Sequence, residues 1–173
     1  MLDKLTLVLG GAGSGKSLWA EDLVKRGASS RIYLATARAW DDEMRSKVDQ
    51  HRAQRGPDWT TIEAPLNVSQ ALASAGPDQA VLLDCATMWL SNHLLDGSDL
   101  DAAESEFFAA LKDCQAPVVV VSNEVGMSVV PENALARRFQ NAQGALNQKL
   151  AAQADLVVAV MAGLPLALKG TLR

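Results

Sequence analysis

The sequence predicts an α/β fold, a mainly parallel sheet with helices on both faces, in one domain spanning residues 1–173. Three observations carry this. Five short apolar runs recur along the chain and are continuous rather than alternating, which is the pattern of strands covered on both faces. Polar or amphipathic segments of helical length separate them, and strand–helix alternation gives parallel strands joined by right-handed crossovers. The 173 residues, 49% hydrophobic with 12 Gly and 6 Pro, suffice for one well-formed core and are too few for two ordinary enzyme domains.

The first run, residues 5–9, feeds a glycine-rich turn and a helix expected over 16–26, with Trp19, Ala20 and Leu23 in its apolar pattern. The second, 31–35, precedes a helix expected over 41–55, opened by the capping acids Asp41, Asp42 and Glu43. A third run at 80–84 is followed by a helix over 86–95 and another over 101–113. The fourth, 117–121, leads to a helix over 132–154, and the fifth is 155–160. No repeat, low-complexity segment or Pro/Gly/Ser-rich linker divides the chain. Ligands of such sheets bind at the carboxyl ends of the strands, so the functional residues should lie just after each run.

Composition excludes several classes. A net charge of −4, with 16 basic residues scattered among 20 acids, argues against nucleic acid and anionic membranes as partners. No apolar run reaches the ~18 residues of a membrane helix. The N-terminus lacks a basic region followed by an apolar stretch and a cleavage site, so a cytoplasmic location is expected. Cys85 and Cys114 are too few for a disulfide framework, lack metal-ligand spacing, and read as core thiols.

Gly10-Gly11-Ala12-Gly13-Ser14-Gly15-Lys16-Ser17 fits the P-loop pattern G-x-x-x-x-G-K-S, with a strand before it and a helix after it. Glycines let successive backbone N–H groups turn inward around a phosphate, and the helix N-terminus adds partial positive charge. Lys16 would reach the β- and γ-phosphates, and Ser17 could ligate Mg²⁺. A second acid near the metal is expected at the end of a neighbouring strand. Asp84, directly after its apolar run, is the metal-side candidate, and Glu124 is the candidate for orienting a nucleophile or a second metal-bound water. Either could instead be a solvated strand-end carboxylate.

In the expected 41–55 helix, Met44, Val48 and His51 fall on one face. Read from the residues alone, His51 is either a structural histidine or a nucleophile. His93, the other histidine, follows a helix pattern without charged company. Arg52 and Arg55 could hold phosphate oxygens, and Trp59 could stack on a base or close the core.

The ordered combination of these motifs resembles one family. The P-loop, Tyr33-Leu34-Ala35-Thr36-Ala37, Asp41-Asp42-Glu43-Met44 with His51, Arg55 and Trp59, and Asp84 to Asn92 are similar to the bifunctional adenosylcobinamide kinase/adenosylcobinamide-phosphate guanylyltransferases of cobalamin synthesis. So are Ser122-Asn123-Glu124-Val125-Gly126, Val130-Pro131-Glu132-Asn133, Asn147-Gln148 and Ala162-Gly163-Leu164-Pro165, so that the resemblance covers nearly the whole chain. One departure stands out, since Gln140-Asn141 occupies a place where the family often carries Arg-Asp.

The resemblance implies a RecA-like fold, Mg²⁺ as cofactor, ATP and GTP as substrates, adenosylcobinamide as the other substrate, and a homo-oligomer. It implies phosphorylation of the aminopropanol hydroxyl of adenosylcobinamide, then transfer of GMP from GTP to that phosphate through a guanylylated histidine, for which His51 is the matching position. It also implies that Arg38, Ala39, Trp40, Arg55, Gly56, Pro57, Asp58 and Glu63 join the P-loop residues and Asp84 in the nucleotide pocket. A neutral imidazole can attack an α-phosphorus, and the phosphoramidate it forms passes GMP onward, splitting one displacement into two easier ones. Two other readings stay open at this point: another small-molecule P-loop kinase, which has no use for a nucleotidyl-histidine, and a RecA-like ATP-binding regulatory or DNA-binding module.

Overall fold

The computed structural model describes residues 2–38 and 56–172, and in it seven strands form one sheet. They are β1 (Leu5–Gly10), β2 (Ser30–Ala35), β3 (Trp59–Glu63), β4 (Gln79–Asp84), β5 (Val118–Asn123), β6 (Leu156–Met161) and β7 (Leu164–Lys169), in spatial order β3-β2-β4-β5-β1-β6-β7. All neighbouring pairs are parallel except β6 and β7. The helices among the described residues are α1 (Lys16–Gly27), α2 (Val68–Ala73), α3 (Ala86–Leu95), α4 (Leu100–Asp113) and α5 (Ala134–Gln153). The parallel α/β architecture expected from the sequence is present, and none of these helices is long and apolar enough to cross a membrane.

Burial explains the continuous apolar runs. Leu5, Leu7, Val118 and Val120 face a cluster with Trp89 of α3, Phe107 of α4 and Leu146 and Leu150 of α5. Val8, Leu82, Val119, Val121 and Val158 face the other way, against Ala20 and Val24 of α1. Alternate residues of the same strand therefore bury into two cores, so the alternation of a half-exposed strand is absent. Both cysteines are buried and free, as the core-thiol reading requires, and burial pushes the Cys85 thiol up to about 11.

Three elements were not expected from the sequence. β3 is an edge strand of five residues in which only Trp59 is fully buried, so it shows no apolar run. α2 has six residues, too short for helical periodicity to declare itself. β7 pairs antiparallel with β6 through a two-residue turn in which Ala162 and Gly163 have φ of 51° and 77°, the geometry of a type I′ hairpin. Its Pro165 is tolerated because β7 is an edge. The helix expected over 41–55 lies outside the described residues.

Helix boundaries follow local chemistry. The Asn133 side-chain oxygen accepts from Leu135 N at 2.8 Å and Ala136 N at 3.2 Å, so α5 starts at Ala134, two residues later than expected. Asp99 caps α4 by accepting from Ala102 N at 3.1 Å.

Candidate active site

The P-loop leaves the carboxyl end of β1 and enters α1 at Lys16. A Cβ on Gly10 would lie 2.4 Å from Ser14 Oγ and 2.6 Å from the Val160 carbonyl, so the loop folds back too tightly for any other residue there. Gly15 occupies the N-cap of α1 with φ 88° and supplies no capping side chain. The first N–H groups of α1 therefore have no side-chain cap, the arrangement that suits an anion. Lys16 Nζ donates to the Gly11 carbonyl at 3.1 Å, which draws its ammonium back across the loop. The β6–β7 turn braces the loop from outside, with Gly163 N donating to Ser14 O at 2.8 Å.

Side-chain alternation decides what shares this face. Leu82 and Val121 pack on the α1 side, so Asp84, two residues on in β4, points to that side as well. Tyr33 Oη donates to Asp84 Oδ2 at 3.0 Å, which orients the carboxylate. The Thr36 hydroxyl fixes the backbone just beyond it, donating to Cys85 O at 2.7 Å and accepting from Cys85 N at 2.8 Å, where the Asp84–Cys85 peptide is cis. On the Asp84 side, however, the strand next to β1 is β5, and β4 lies one further out. Glu124 is tied by its backbone to the first residue of the loop: its N–H donates to Gly10 O at 3.0 Å, and its Oε1 accepts from Gly126 N at 2.6 Å.

A hydroxyl from Ser17 and a carboxylate from Asp84 form a hard-oxygen donor set, the kind Mg²⁺ takes alongside phosphates and water. Among the described residues no group of three or more His, Cys, Asp or Glu side chains could hold a metal, so a caged, all-protein metal site is absent there. The residues fit a cation carried in with a nucleotide.

Other expected residues are placed elsewhere. Arg38 makes a bidentate pair with Asp96 at the end of α3, at 2.8 and 2.7 Å. Gly56, Pro57 and Asp58 precede β3 at the amino edge of the sheet, where Arg31 Nη1 lies 3.6 Å from Asp58. The P-loop is at the carboxyl edge, a strand's length away or roughly 17 Å, so one chain does not bring that turn to its own loop. Glu63 ends β3, four strands from β1 and about 19 Å across the sheet, where it lines a cleft with Asn67 and Gln70. Trp59 is 8% exposed, packs its edge on Tyr33 and carries the Arg31 guanidinium over its ring, so it closes the core. Ala39, Trp40, His51 and Arg55 lie outside the described residues. His93, expected to lack charged company, stacks edge-on against Trp89 within reach of the Asp96 and Arg38 charges, and burial holds its pKa below the usual value.

Sequence reasoning missed the polar assembly behind β5. Ser122 Oγ donates to Asn147 Oδ1 at 2.6 Å, Gln143 Nε2 donates to both at 2.9 Å, and Asn147 Nδ2 donates to Asn123 O at 3.1 Å. The available signal was Gln143 and Asn147 at i and i+4 on an otherwise apolar helix face.

The sequence profile of the family described as cobinamide kinase / cobinamide phosphate guanyltransferase matches residues 6–168. The chain is 41% identical over 167 residues to the bifunctional adenosylcobalamin biosynthesis protein CobP of Pseudomonas aeruginosa, covering 95% of this chain and 96% of that one. It is 40% identical over 182 residues to the bifunctional adenosylcobalamin biosynthesis protein CobU of Escherichia coli, covering 95% and 99%. The crystal structure of the RadB recombinase is similar at a TM-score of 0.50 with 14% identity, over 91% of this chain and 75% of that one, a likeness of fold alone that agrees with the RecA-like expectation.

Proposed function

Because the chain belongs to the cobinamide kinase / cobinamide phosphate guanyltransferase family and is a bifunctional enzyme of cobalamin biosynthesis, we propose that both reactions draw on a triphosphate seated in the one P-loop. The observation that supports this is the shared face: α1 presents Lys16 and Ser17 on the side of the sheet to which Asp84 points.

In the first reaction the aminopropanol hydroxyl of adenosylcobinamide attacks the γ-phosphorus of ATP or GTP. The loop N–H groups and Lys16 hold the phosphate oxygens, and their fixed positive charge favours the transition state over the ground state as negative charge shifts toward the leaving diphosphate. Ser17 and Asp84 would hold Mg²⁺, which would supply charge to offset that of the phosphates. Tyr33 holds the Asp84 carboxylate, and Glu124, tied by its backbone to Gly10, supports the acceptor side.

In the second reaction His51 attacks the α-phosphorus of GTP, pyrophosphate leaves from the same loop, and the GMP on His51 passes to adenosylcobinamide phosphate to give adenosylcobinamide-GDP. The nucleotide contacts proposed for Arg38, Ala39, Trp40, Arg55, Gly56, Pro57, Asp58 and Glu63 belong to this reading. For the amino-edge turn, such a contact requires a second copy, in line with the homo-oligomer. We place the enzyme in the cytoplasm and expect no nucleic-acid or membrane partner.

The test is to incubate the protein with α-labelled GTP and assay for acid-labile, base-stable label. Wild-type protein should take up the label. His51→Ala should not, and should still accumulate adenosylcobinamide phosphate, because the kinase step asks nothing of a protein nucleophile. Normal adenosylcobinamide-GDP formation by a folded His51→Ala protein would sink the covalent route.

A further inference from the structure

β5 lies between the P-loop strand β1 and the Asp84 strand β4, so its carboxyl end occupies the ground between the loop and the acid. Asn123 stands there, in register with Gly10 at the mouth of the loop. Val119 and Val121 pack on the α1 face, and alternation carries the Asn123 side chain to that same face. Its backbone is pinned twice, N–H to Thr87 Oγ1 at 2.7 Å and C=O from Asn147 Nδ2 at 3.1 Å, with Asn147 itself held by Ser122 and Gln143. The carboxamide is treated differently: Oδ1 is buried and has no hydrogen-bond partner among the described residues. An unpaired buried acceptor is costly, and a fold that fixes the backbone around one this firmly leaves that oxygen for a partner that arrives with the reaction.

We propose that Asn123 is a catalytic residue of the kinase reaction, its carboxamide touching both the γ-phosphoryl group and the acceptor hydroxyl. This rests on the reading that the kinase reaction uses this P-loop. A carboxamide offers a donor and an acceptor on one planar group, so Nδ2 holds a γ-phosphoryl oxygen while Oδ1 accepts from the incoming hydroxyl and turns its lone pair toward phosphorus. It takes no proton. The hydroxyl oxygen bonds the γ-phosphorus as the bond to the β–γ bridging oxygen breaks, the nucleoside diphosphate leaves with that electron pair, and the hydroxyl proton is released to water. Guanylyl transfer reacts at the α-phosphorus instead, two phosphates away, so there Asn123 meets only the γ-phosphate of the leaving pyrophosphate and none of the reacting atoms.

The experiment compares Asn123→Ala, Asn123→Asp and Lys16→Ala in the full-length protein, by kinase kcat and nucleotide KM, label uptake from α-labelled GTP, and melting temperature. Asn123→Ala should lower kinase kcat about 100-fold, with nucleotide KM and label uptake each within about threefold of wild type. Asn123→Asp keeps the shape but sets a like charge against the γ-phosphate, and should lose at least as much kinase activity. Wild-type kcat in Asn123→Ala overturns the proposal. So does a parallel loss of both activities with a lowered melting temperature, which would make Asn123 part of the scaffold. If Lys16→Ala kept full kinase activity, the P-loop reading itself would fall; an inactive Lys16→Ala beside a fully active Asn123→Ala removes the Asn123 role alone.

Discussion

Lys16 is the residue on which both proposed reactions converge, because each begins with a triphosphate in the same loop. Lys16→Ala should reduce kinase and guanylyltransferase rates together, by ~100-fold or more, since it removes the mobile cation of the loop. Retention of either rate would assign that reaction to another site. Asp84→Asn keeps the size and loses the charge that a bound cation needs, so the Mg²⁺ midpoint of activity should move to higher concentration while nucleotide affinity at saturating Mg²⁺ changes little. An unmoved midpoint would transfer the metal role to Glu124. The sequence made Lys16 and Ser17 legible because the P-loop pattern is local and its chemistry is contained in eight consecutive residues. Asp84 was legible because an acid directly ends an apolar run. Asn123 was not, since its interest depends on which strand lies beside β1, and only the sheet order reveals that. Arg38 shows the converse: its partner Asp96 is 58 positions away, a pairing no spacing rule encodes.

Among the elements, α3 joins two observations with a pH consequence. His93, in its last turn, has both ring nitrogens buried, and burial lowers its pKa from 6.5. The folded state therefore binds this proton less readily than the unfolded chain does, so stability is lost as the pH falls through 6.5. Asp96, at the end of the same helix, has its carboxyl held below 3.8 by Arg38, and the stability this lends is lost only in stronger acid. His93→Phe should thus flatten the fall in melting temperature between neutral pH and about pH 5 while leaving the more acidic limb in place. Parallel curves for variant and wild type would show that another group governs that range. The sequence locates α3 to the residue because its apolar pattern is dense, whereas α5 begins two residues later than expected because Asn133 caps it. Asn133→Ala should cost about 1 kcal/mol, read as a lowered denaturant midpoint with unchanged slope. No shift would mean that α5 is held by its packing alone.

At the scale of the whole molecule, β7 sits uneasily on the surface of a lone chain. Leu164, Leu166 and Leu168 are 71%, 60% and 59% exposed, Met161 beside them is 70% exposed, and the strand is the outer edge of the sheet. Successive leucines at every second position share one face, giving an apolar stripe along an unpaired edge, which proteins ordinarily cover or blunt with charge. The same stripe explains why β7 does not show as a continuous apolar run: its leucines alternate with Pro165, Ala167 and Lys169, and they are exposed among the described residues. A second copy covering β7 would supply the missing partner, and because the β6–β7 turn is hydrogen-bonded to Ser14, an interface there would also steady the P-loop. Light scattering at micromolar concentration should give the wild-type protein a mass that is a multiple of 18.4 kDa, and Leu166→Lys, which sets a charge in the middle of the stripe, should shift the population toward the single-chain mass. If wild-type protein runs at the single-chain mass, the homo-oligomer is lost. If Leu166→Lys leaves a wild-type assembly intact, the chains meet through another surface.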